Sequence, residues 1–182
     1  NPIKTGLLST AIDAYLSSGS EILIVPLALS YENVPEDAEF CGAARKTNFN
    51  EFIKTRTRVY LDVCEPIHVS RHIHLDDPTA AIAYQITSAW RKGLRILPNQ
   101  VIARLLNDND HAIEHKAIYN MVDEFVHLNP GNYLTRDTDR IVKMGVKILK
   151  GRKFIKTGKG VIRSEQPGFI EYYAGMTPEE SI

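Results

Sequence analysis

The chain has 182 residues, of which 43% are hydrophobic and 24% charged. This is the composition of a globular protein with one or two domains, and it excludes a fibrous or low-complexity chain. Lys plus Arg and Asp plus Glu both number 22, so the net charge favours no particular partner. Cys41 and Cys64 form no disulfide framework or zinc pattern, and no apolar run reaches the ~20 residues of a membrane-spanning helix.

The first 75 residues predict an α/β region. Residues 7–18 place apolar side chains at helical spacing, and Ser17-Ser18-Gly19-Ser20 ends that helix. Residues 21–30 are almost continuously aliphatic, which is typical of a strand covered on both faces of a sheet. Pro26 lies inside this run and predicts a bulge or the end of sheet pairing. Residues 57–63 alternate as a second strand does, and Glu65-Pro66 ends it.

From residue 76 the pattern changes to helices, so we expect two domains, residues 1–75 and residues 76–182. Asp77 before Pro78 predicts a helix start, because an acidic cap precedes a first-turn proline. Further helices are expected at about residues 98–106, 113–128 and 137–150. Two short apolar and basic segments flank Thr157-Gly158-Lys159-Gly160, which predicts a small β-hairpin.

A basic segment runs from Arg140 to Arg163, with nine Lys or Arg and no acidic residue. Arg140, Lys143, Lys147 and Lys150 share one side of the predicted helix 137–150. Such a helix suits an anionic membrane surface. A helix followed by a basic hairpin is also typical of a winged-helix module that holds nucleic-acid phosphates. An ordinary solvated helix face is the third interpretation.

A cation and a flexible turn, Lys4-Thr5-Gly6, come just before the first predicted helix. Helix N-termini present free N–H groups, so this position suits a phosphate or carboxylate. The alternative is an exposed lysine and an ordinary turn glycine.

Four short patterns follow one another at suitable spacings over about residues 1–70: Lys4-Thr5-Gly6, then Val25-Pro26 with Tyr31-Glu32, then Glu39-Phe40-Cys41-Gly42-Ala43-Ala44-Arg45, then Glu65-Pro66-Ile67. Together they resemble the glycerol-3-phosphate and dihydroxyacetone-phosphate acyltransferase family. That family has a Pro-Lys-x-Gly loop, a Val-Pro-x-x-x-x-Tyr-Glu strand, a Glu-Leu-x-Gly-x-x-Lys block and a Gly-Glu-Pro-Ile strand end. The departures from the family pattern are Ile3, Phe40, Arg45 and Cys64.

The resemblance implies the second half of an acyltransferase α/β sheet domain, followed by a mainly helical region with a small hairpin. It implies transfer of a fatty acyl group from acyl-CoA or acyl carrier protein to a glycerol-3-phosphate-type acceptor, without a metal or organic cofactor. The protein is then expected at the cytoplasmic side of a membrane, with Arg140, Lys143, Lys147 and Lys150 towards the anionic surface. The alternative is that residues 76–182 form a helical, winged-helix-like nucleic-acid or protein interaction module without catalysis. Nucleic acid is the less favoured partner. The residues expected to shape the substrate pocket are Lys4, Gly6, Pro26, Tyr31, Glu32 and Arg45.

The family's catalytic His-x-x-x-x-Asp pair and its Glu-Gly-Gly-x-Arg block come before all of these patterns. The sequence opens on Asn1-Pro2 and not on Met, so we expect a fragment or a processed product whose catalytic residues lie upstream. No catalytic residue is assigned within the chain, which by itself is expected to be inactive.

One later match to His-x-x-x-x-Asp runs from His72 to Asp77. It follows the four patterns in the sequence, whereas the catalytic pair of the family precedes them. We interpret Asp76 and Asp77 as the cap of the helix that begins at Pro78. His68, His72 and His74 with Asp76 could suggest a metal site. A solvated polar loop is the favoured interpretation, because no dedicated ligand spacing appears.

Overall fold

A computed structural model describes residues 3–34, 37–42 and 57–177. The fold is mixed α/β. In chain order the elements are α1 (Gly6–Ser18), β1 (Leu23–Ile24), β2 (Leu27–Tyr31), α2 (Asp37–Phe40), β3 (Val59–Val63), β4 (Ile67–His68), a 3₁₀ turn (Val69–Arg71), α3 (Pro78–Gly93), α4 (Pro98–Asp108), β5 (Ala112–Glu114), α5 (Ala117–Leu128), α6 (Thr138–Gly151), β6 (Ile155–Gly158), β7 (Val161–Ser164) and α7 (Pro167–Ala174).

The chain forms two compact units. The first comprises Asn1–Leu29 and Tyr60–Leu94, and the second comprises Ser30–Val59 and Arg95–Ile182. The first unit therefore contains α3, whereas the sequence divides the chain near residue 75. The two domains expected from the sequence, residues 1–75 and residues 76–182, stay a prediction, because a compact unit need not coincide with an evolutionary domain.

Helices α1 and α3 and strand β4 share the core of the first unit. Its buried side chains are Leu8, Ile12, Ile67, Val69, Ile82 and Ile86. Strand β1 pairs with β4 in antiparallel fashion, with Ile24 opposite Ile67. Helix α1 ends where the sequence predicts, because Gly19 adopts a left-handed φ of 65° and donates its N–H to the Tyr15 carbonyl.

Pro26 divides the aliphatic run into β1 and β2, which confirms that sheet pairing is interrupted there. The expectation that this run is covered on both faces is wrong. Leu27 and Leu29 are 49% and 45% exposed, and they alternate with buried Ala28 and Ser30. Strand β2 belongs to a two-stranded sheet with β3, so only one of its faces is covered in the described part of the chain.

The second unit surrounds its core with α4, α5, α6 and α7. A three-stranded antiparallel sheet in the order β5-β7-β6 lies at the end of this helical group. The β6–β7 hairpin confirms the predicted one, and its turn places Lys159 and Gly160 at φ of 51° and 75°. The helix predicted from residue 113 begins only at Ala117. Residues 112–114 pair with β7 instead, which local sequence cannot reveal.

Helix α6 lies against α4 at a contact that requires glycine. A Cβ at Gly145 would lie 2.4 Å from the carbonyl oxygen of Pro98 and 2.5 Å from Cγ1 of Ile102. The start of α6 is fixed by Asp137, whose carboxylate accepts a hydrogen bond from the N–H of Arg140 at 2.8 Å. The glycine contact allows α6 to approach α4 closely, and the aspartate cap defines where α6 begins.

Candidate functional site

Lys4 and Gly6 lie at the exposed N-terminus of α1, as the sequence predicts. Thr5 makes no side-chain cap, and the first turn contains no acidic side chain. A Cβ at Gly6 would meet nothing within 4 Å, so the described residues leave this helix end open to a ligand. The positive end of the helix dipole and the Lys4 charge both favour an anion there.

Pro26 is buried and joins two of the sequence patterns within the first unit. Its carbonyl oxygen accepts a hydrogen bond from the N–H of Cys64 at 2.9 Å. Beside it, Ile24 is opposite Ile67 in the β1–β4 pair. The Val25-Pro26 pattern and the Cys64-to-Ile67 pattern therefore meet through main-chain hydrogen bonds, although about forty positions separate them.

Tyr31 and Glu32 lie at the end of β2, in the second unit. Tyr31 is half-buried, whereas Glu32 is buried and its carboxylate lies 3.6 Å from the guanidinium of Arg58. The Glu32 main chain is held twice: its N–H donates to the Arg58 carbonyl at 3.1 Å, and its carbonyl accepts from the Asn99 amide at 2.9 Å. Glu32 is thus a fixed, buried residue, and Tyr31 is the more accessible of the two.

The six residues that the resemblance implies are divided between the units. Lys4, Gly6 and Pro26 belong to the first unit, and Tyr31 and Glu32 belong to the second. Arg45 lies outside the described residues. That all six shape one pocket stays a prediction.

The His-x-x-x-x-Asp match from His72 to Asp77 is not a hydrogen-bonded pair. Asp77 accepts a hydrogen bond from the N–H of Ala80 at 2.9 Å, which confirms its interpretation as the cap of α3. The ring Nδ1 of His72 lies 2.9 Å from the carbonyl oxygen of His68. Among the described residues, no three His, Cys, Asp or Glu side chains come together as metal ligands would.

A buried polar network in the second unit was not predicted from the sequence. Asp37 is 1% exposed, and its carboxylate accepts hydrogen bonds from the Tyr173 hydroxyl at 2.7 Å and from Arg152 at 3.0 Å. Arg152 also donates to the Asn33 amide oxygen at 3.1 Å, and the Tyr173 hydroxyl accepts from the N–H of Val34 at 3.1 Å. These partners lie more than 100 positions apart, so no local sequence signal indicates them.

Within this network the buried charge of Asp37 is paired and hydrogen-bonded, as a buried charge requires. Burial raises the pKa of Tyr173 far above its usual range, and the charge of Asp37 raises it further, so the hydroxyl stays protonated. Burial and the Asp37 charge also raise the pKa of the nearby Cys41 thiol. A thiol with a raised pKa is a poor nucleophile, because the thiolate is the reactive form.

The basic face of α6 is exposed, as predicted. Its members are Arg140, Lys143, Lys147 and Lys150. Lys143 forms an ion pair with Asp139 at 2.7 Å, and Lys150 donates to the Thr157 hydroxyl at 3.0 Å. The large apolar side chains Ile141 and Leu149 are buried, so this helix presents positive charge to an anionic surface but no apolar anchor from these two positions.

Within residues 98–164 of the second unit, the elements follow one another as helix, strand, helix, helix and hairpin, with β7 between β5 and β6. Every helix in the described part of the chain is too short or too polar to span a bilayer. Comparison of the sequence with protein-family models and with curated proteins finds no match.

Proposed function

We propose that the chain is part of an acyltransferase that moves a fatty acyl group from acyl-CoA or acyl carrier protein to a glycerol-3-phosphate-type acceptor in phospholipid synthesis. The observation that carries the proposal is the meeting of two sequence patterns at one place in the first unit. Cys64 donates its N–H to Pro26, and Ile24 pairs with Ile67. A chance resemblance of separate short segments would not require them to be neighbours in the fold.

In this proposal, Lys4 and the N-terminus of α1 attract the acceptor phosphate. Lysine is a mobile point charge, and helix N–H groups add directional donors for an anion. The absence of a side chain at Gly6 lets a phosphate oxygen approach the main chain closely. In the second unit, Glu32 fixes the end of β2 from inside through its contacts with Arg58 and Asn99.

The proposal assigns no acid–base role to a residue of this chain, and the chemistry is that of the family which the chain resembles. A histidine base activates the acceptor hydroxyl for attack on the thioester, and an aspartate orients that histidine. The contribution of the present residues is to position the acceptor and to neutralise its charge, which can supply a large part of a rate enhancement.

The direct test is an acyl-transfer assay on the protein expressed from its complete coding region. Radiolabelled glycerol-3-phosphate is offered with palmitoyl-CoA and, separately, with palmitoyl acyl carrier protein. We expect an acylated product with at least one donor, and a Gly6→Val variant with a raised KM for the acceptor. Failure of both donors, together with a coding region that lacks a His-x-x-x-x-Asp pair and a Glu-Gly-Gly-x-Arg block, would contradict the proposal.

A second candidate function is binding to duplex nucleic acid by the second unit. The observation that favours it is the winged-helix order of elements, with basic residues on both α6 and the β6–β7 hairpin. Four phosphate contacts from the basic face of α6 would make the logarithm of the binding constant fall with the logarithm of salt concentration, at a slope of about −3.6.

In the acyltransferase proposal, the same basic residues contact anionic lipid. The two functions therefore need separate measurements. Fluorescence anisotropy with duplex DNA measures one, and sedimentation with vesicles containing phosphatidylglycerol measures the other. Vesicle binding that phosphatidylcholine alone does not support favours the acyltransferase. Binding to DNA with a steep salt slope, without vesicle binding, favours the nucleic-acid module.

A further inference from the structure

The first unit contains a cavity that is separate from the residues of the proposed acyltransferase pocket. Its volume is about 530 Å³, within the range of small-molecule sites in proteins. It lies between the segment that follows β4 and one face of α3. Its lining residues are Pro66, Ile67, His68, Arg71, His72, Leu75, Ala81, Tyr84 and Gln85.

The lining combines a cation with a fixed imidazole. Arg71 is exposed and forms no ion pair with any described residue. His72 is only 6% exposed, and its Nδ1 must carry the proton that binds the His68 carbonyl, because a carbonyl oxygen can only accept. No described residue hydrogen-bonds to Nε2 of His72, which leaves this nitrogen available to a ligand. None of the lining residues in the described chain is acidic.

Apart from His68 and Gln85, the rest of the lining is mainly apolar. Ala81, Tyr84 and Gln85 occupy spacings of three and four residues on α3, so they share one helix face. Tyr84 is 76% exposed and Leu75 is 50% exposed, although both are large apolar side chains beside the cation. A ligand that covers these two side chains would remove their apolar surface from water, at about 25 cal/mol for each Å².

We propose that this cavity binds a small amphiphilic anion, with its head against the guanidinium of Arg71 and a short alkyl or aryl group over Leu75 and Tyr84. The guanidinium fork matches the two oxygens of a carboxylate and equally those of a phosphate monoester. Because Nδ1 of His72 carries the proton, Nε2 accepts a hydrogen bond, which a head group with a hydroxyl, such as a singly ionised phosphate monoester, can donate. The open rim accepts a tail of variable length. This site does not depend on the proposed acyltransferase activity.

The test is a titration of the 182-residue chain followed by ¹H–¹⁵N NMR at constant pH. The probes are hexanoate and hexyl phosphate, with acetate and inorganic phosphate as heads without a tail, and hexanol as a tail without a charge. We expect saturable shifts at Arg71, His72 and Tyr84 with at least one amphiphilic anion. Acetate, inorganic phosphate and hexanol should each bind at least tenfold more weakly. The tighter of hexanoate and hexyl phosphate identifies the head group.

Two matched variants separate this site from non-specific attraction. Arg71→Gln should weaken binding of the amphiphilic anion about tenfold, since a charge-assisted hydrogen bond is lost. Arg91→Gln removes an exposed cation from the last turn of α3, outside the cavity lining. This variant should change the affinity less than twofold. Both positions are exposed, so both variants should fold. Equal effects of the two variants, binding of hexanol as tight as that of hexanoate, or no saturable shift would each overturn the proposal.

Discussion

The hydroxyl of Tyr173 donates a hydrogen bond to the carboxylate of Asp37 across 136 positions of sequence, at 2.7 Å. Both residues are almost completely buried in the second unit. Arg152 completes the arrangement by placing its guanidinium 2.8 Å from the same carboxylate. A buried charge is tolerated only when it is paired and hydrogen-bonded, so removal of one partner of Asp37 is expected to lower the stability of the unit.

Tyr173→Phe should lower the free energy of unfolding by about 1–3 kcal/mol, because it removes a donor to Asp37 and an acceptor for the N–H of Val34. Urea unfolding followed by circular dichroism measures the change. Tyr84→Phe, at an exposed tyrosine, is the matched control and should be close to neutral. Equal stability of the two variants would show that the buried network is not stabilising.

Part of the pH dependence of the free energy of unfolding should come from the ionisation of Tyr173. Burial and Asp37 raise its pKa in the folded state above the value of about 10 that a tyrosine has in the unfolded chain. Below pH 10 the hydroxyl is protonated in both states and contributes no pH dependence. As pH rises above 10 only the unfolded state ionises, so stability falls by up to about 1.4 kcal/mol for each pH unit. The loss between pH 9 and 11 should be smaller in Tyr173→Phe, and an identical loss would contradict this assignment.

Gly145→Ala should destabilise the second unit by about 1–3 kcal/mol. The new Cβ would meet the Pro98 carbonyl at 2.4 Å, and a backbone atom cannot yield as a flexible side chain can. The control is Gly151→Ala in the last residue of the same helix, where a Cβ meets nothing within 4 Å. The midpoint of thermal unfolding should be lower than that of the unchanged protein only for Gly145→Ala.

Asp77→Ala should cost about 1 kcal/mol of stability, because the cap of α3 is lost. Asp76→Ala removes the neighbouring exposed carboxylate and should change stability by less than about 0.5 kcal/mol. In an active full-length enzyme, Asp77→Ala should leave the turnover number unchanged once the protein is folded. A large drop in turnover without unfolding would instead assign a catalytic role to this residue.

The elements with strong local signals were predicted closely. The helix expected at residues 7–18 is Gly6–Ser18, and the helix expected from Pro78 begins there with its aspartate cap. The hairpin around Lys159 is also present. In each case a periodic apolar pattern coincides with a cap, a proline or a turn glycine, so the information lies within a few residues.

What was missed depends on distant partners. Strand β5 has three residues, and it is a strand because Ile113 lies opposite Ile162 in β7. The network of Asp37 and Tyr173 likewise joins two ends of the second unit. The exposure of Leu27 and Leu29 depends on which element covers β2, and an aliphatic run does not specify that. Lys4 lies at the start of α1 and Pro26 between β1 and β2, as predicted, and the pocket that they are expected to share stays a prediction.

The contact between Asp37 and Tyr173 has a consequence for the order of events during synthesis. A ribosome must translate 136 positions beyond Asp37 before the hydroxyl that satisfies its carboxylate exists. Until then the carboxylate has to remain in water, so the segment around α2 cannot dock in its final position. The second unit should therefore complete its folding late, and a chain truncated before residue 173 should be a preferred substrate for proteases.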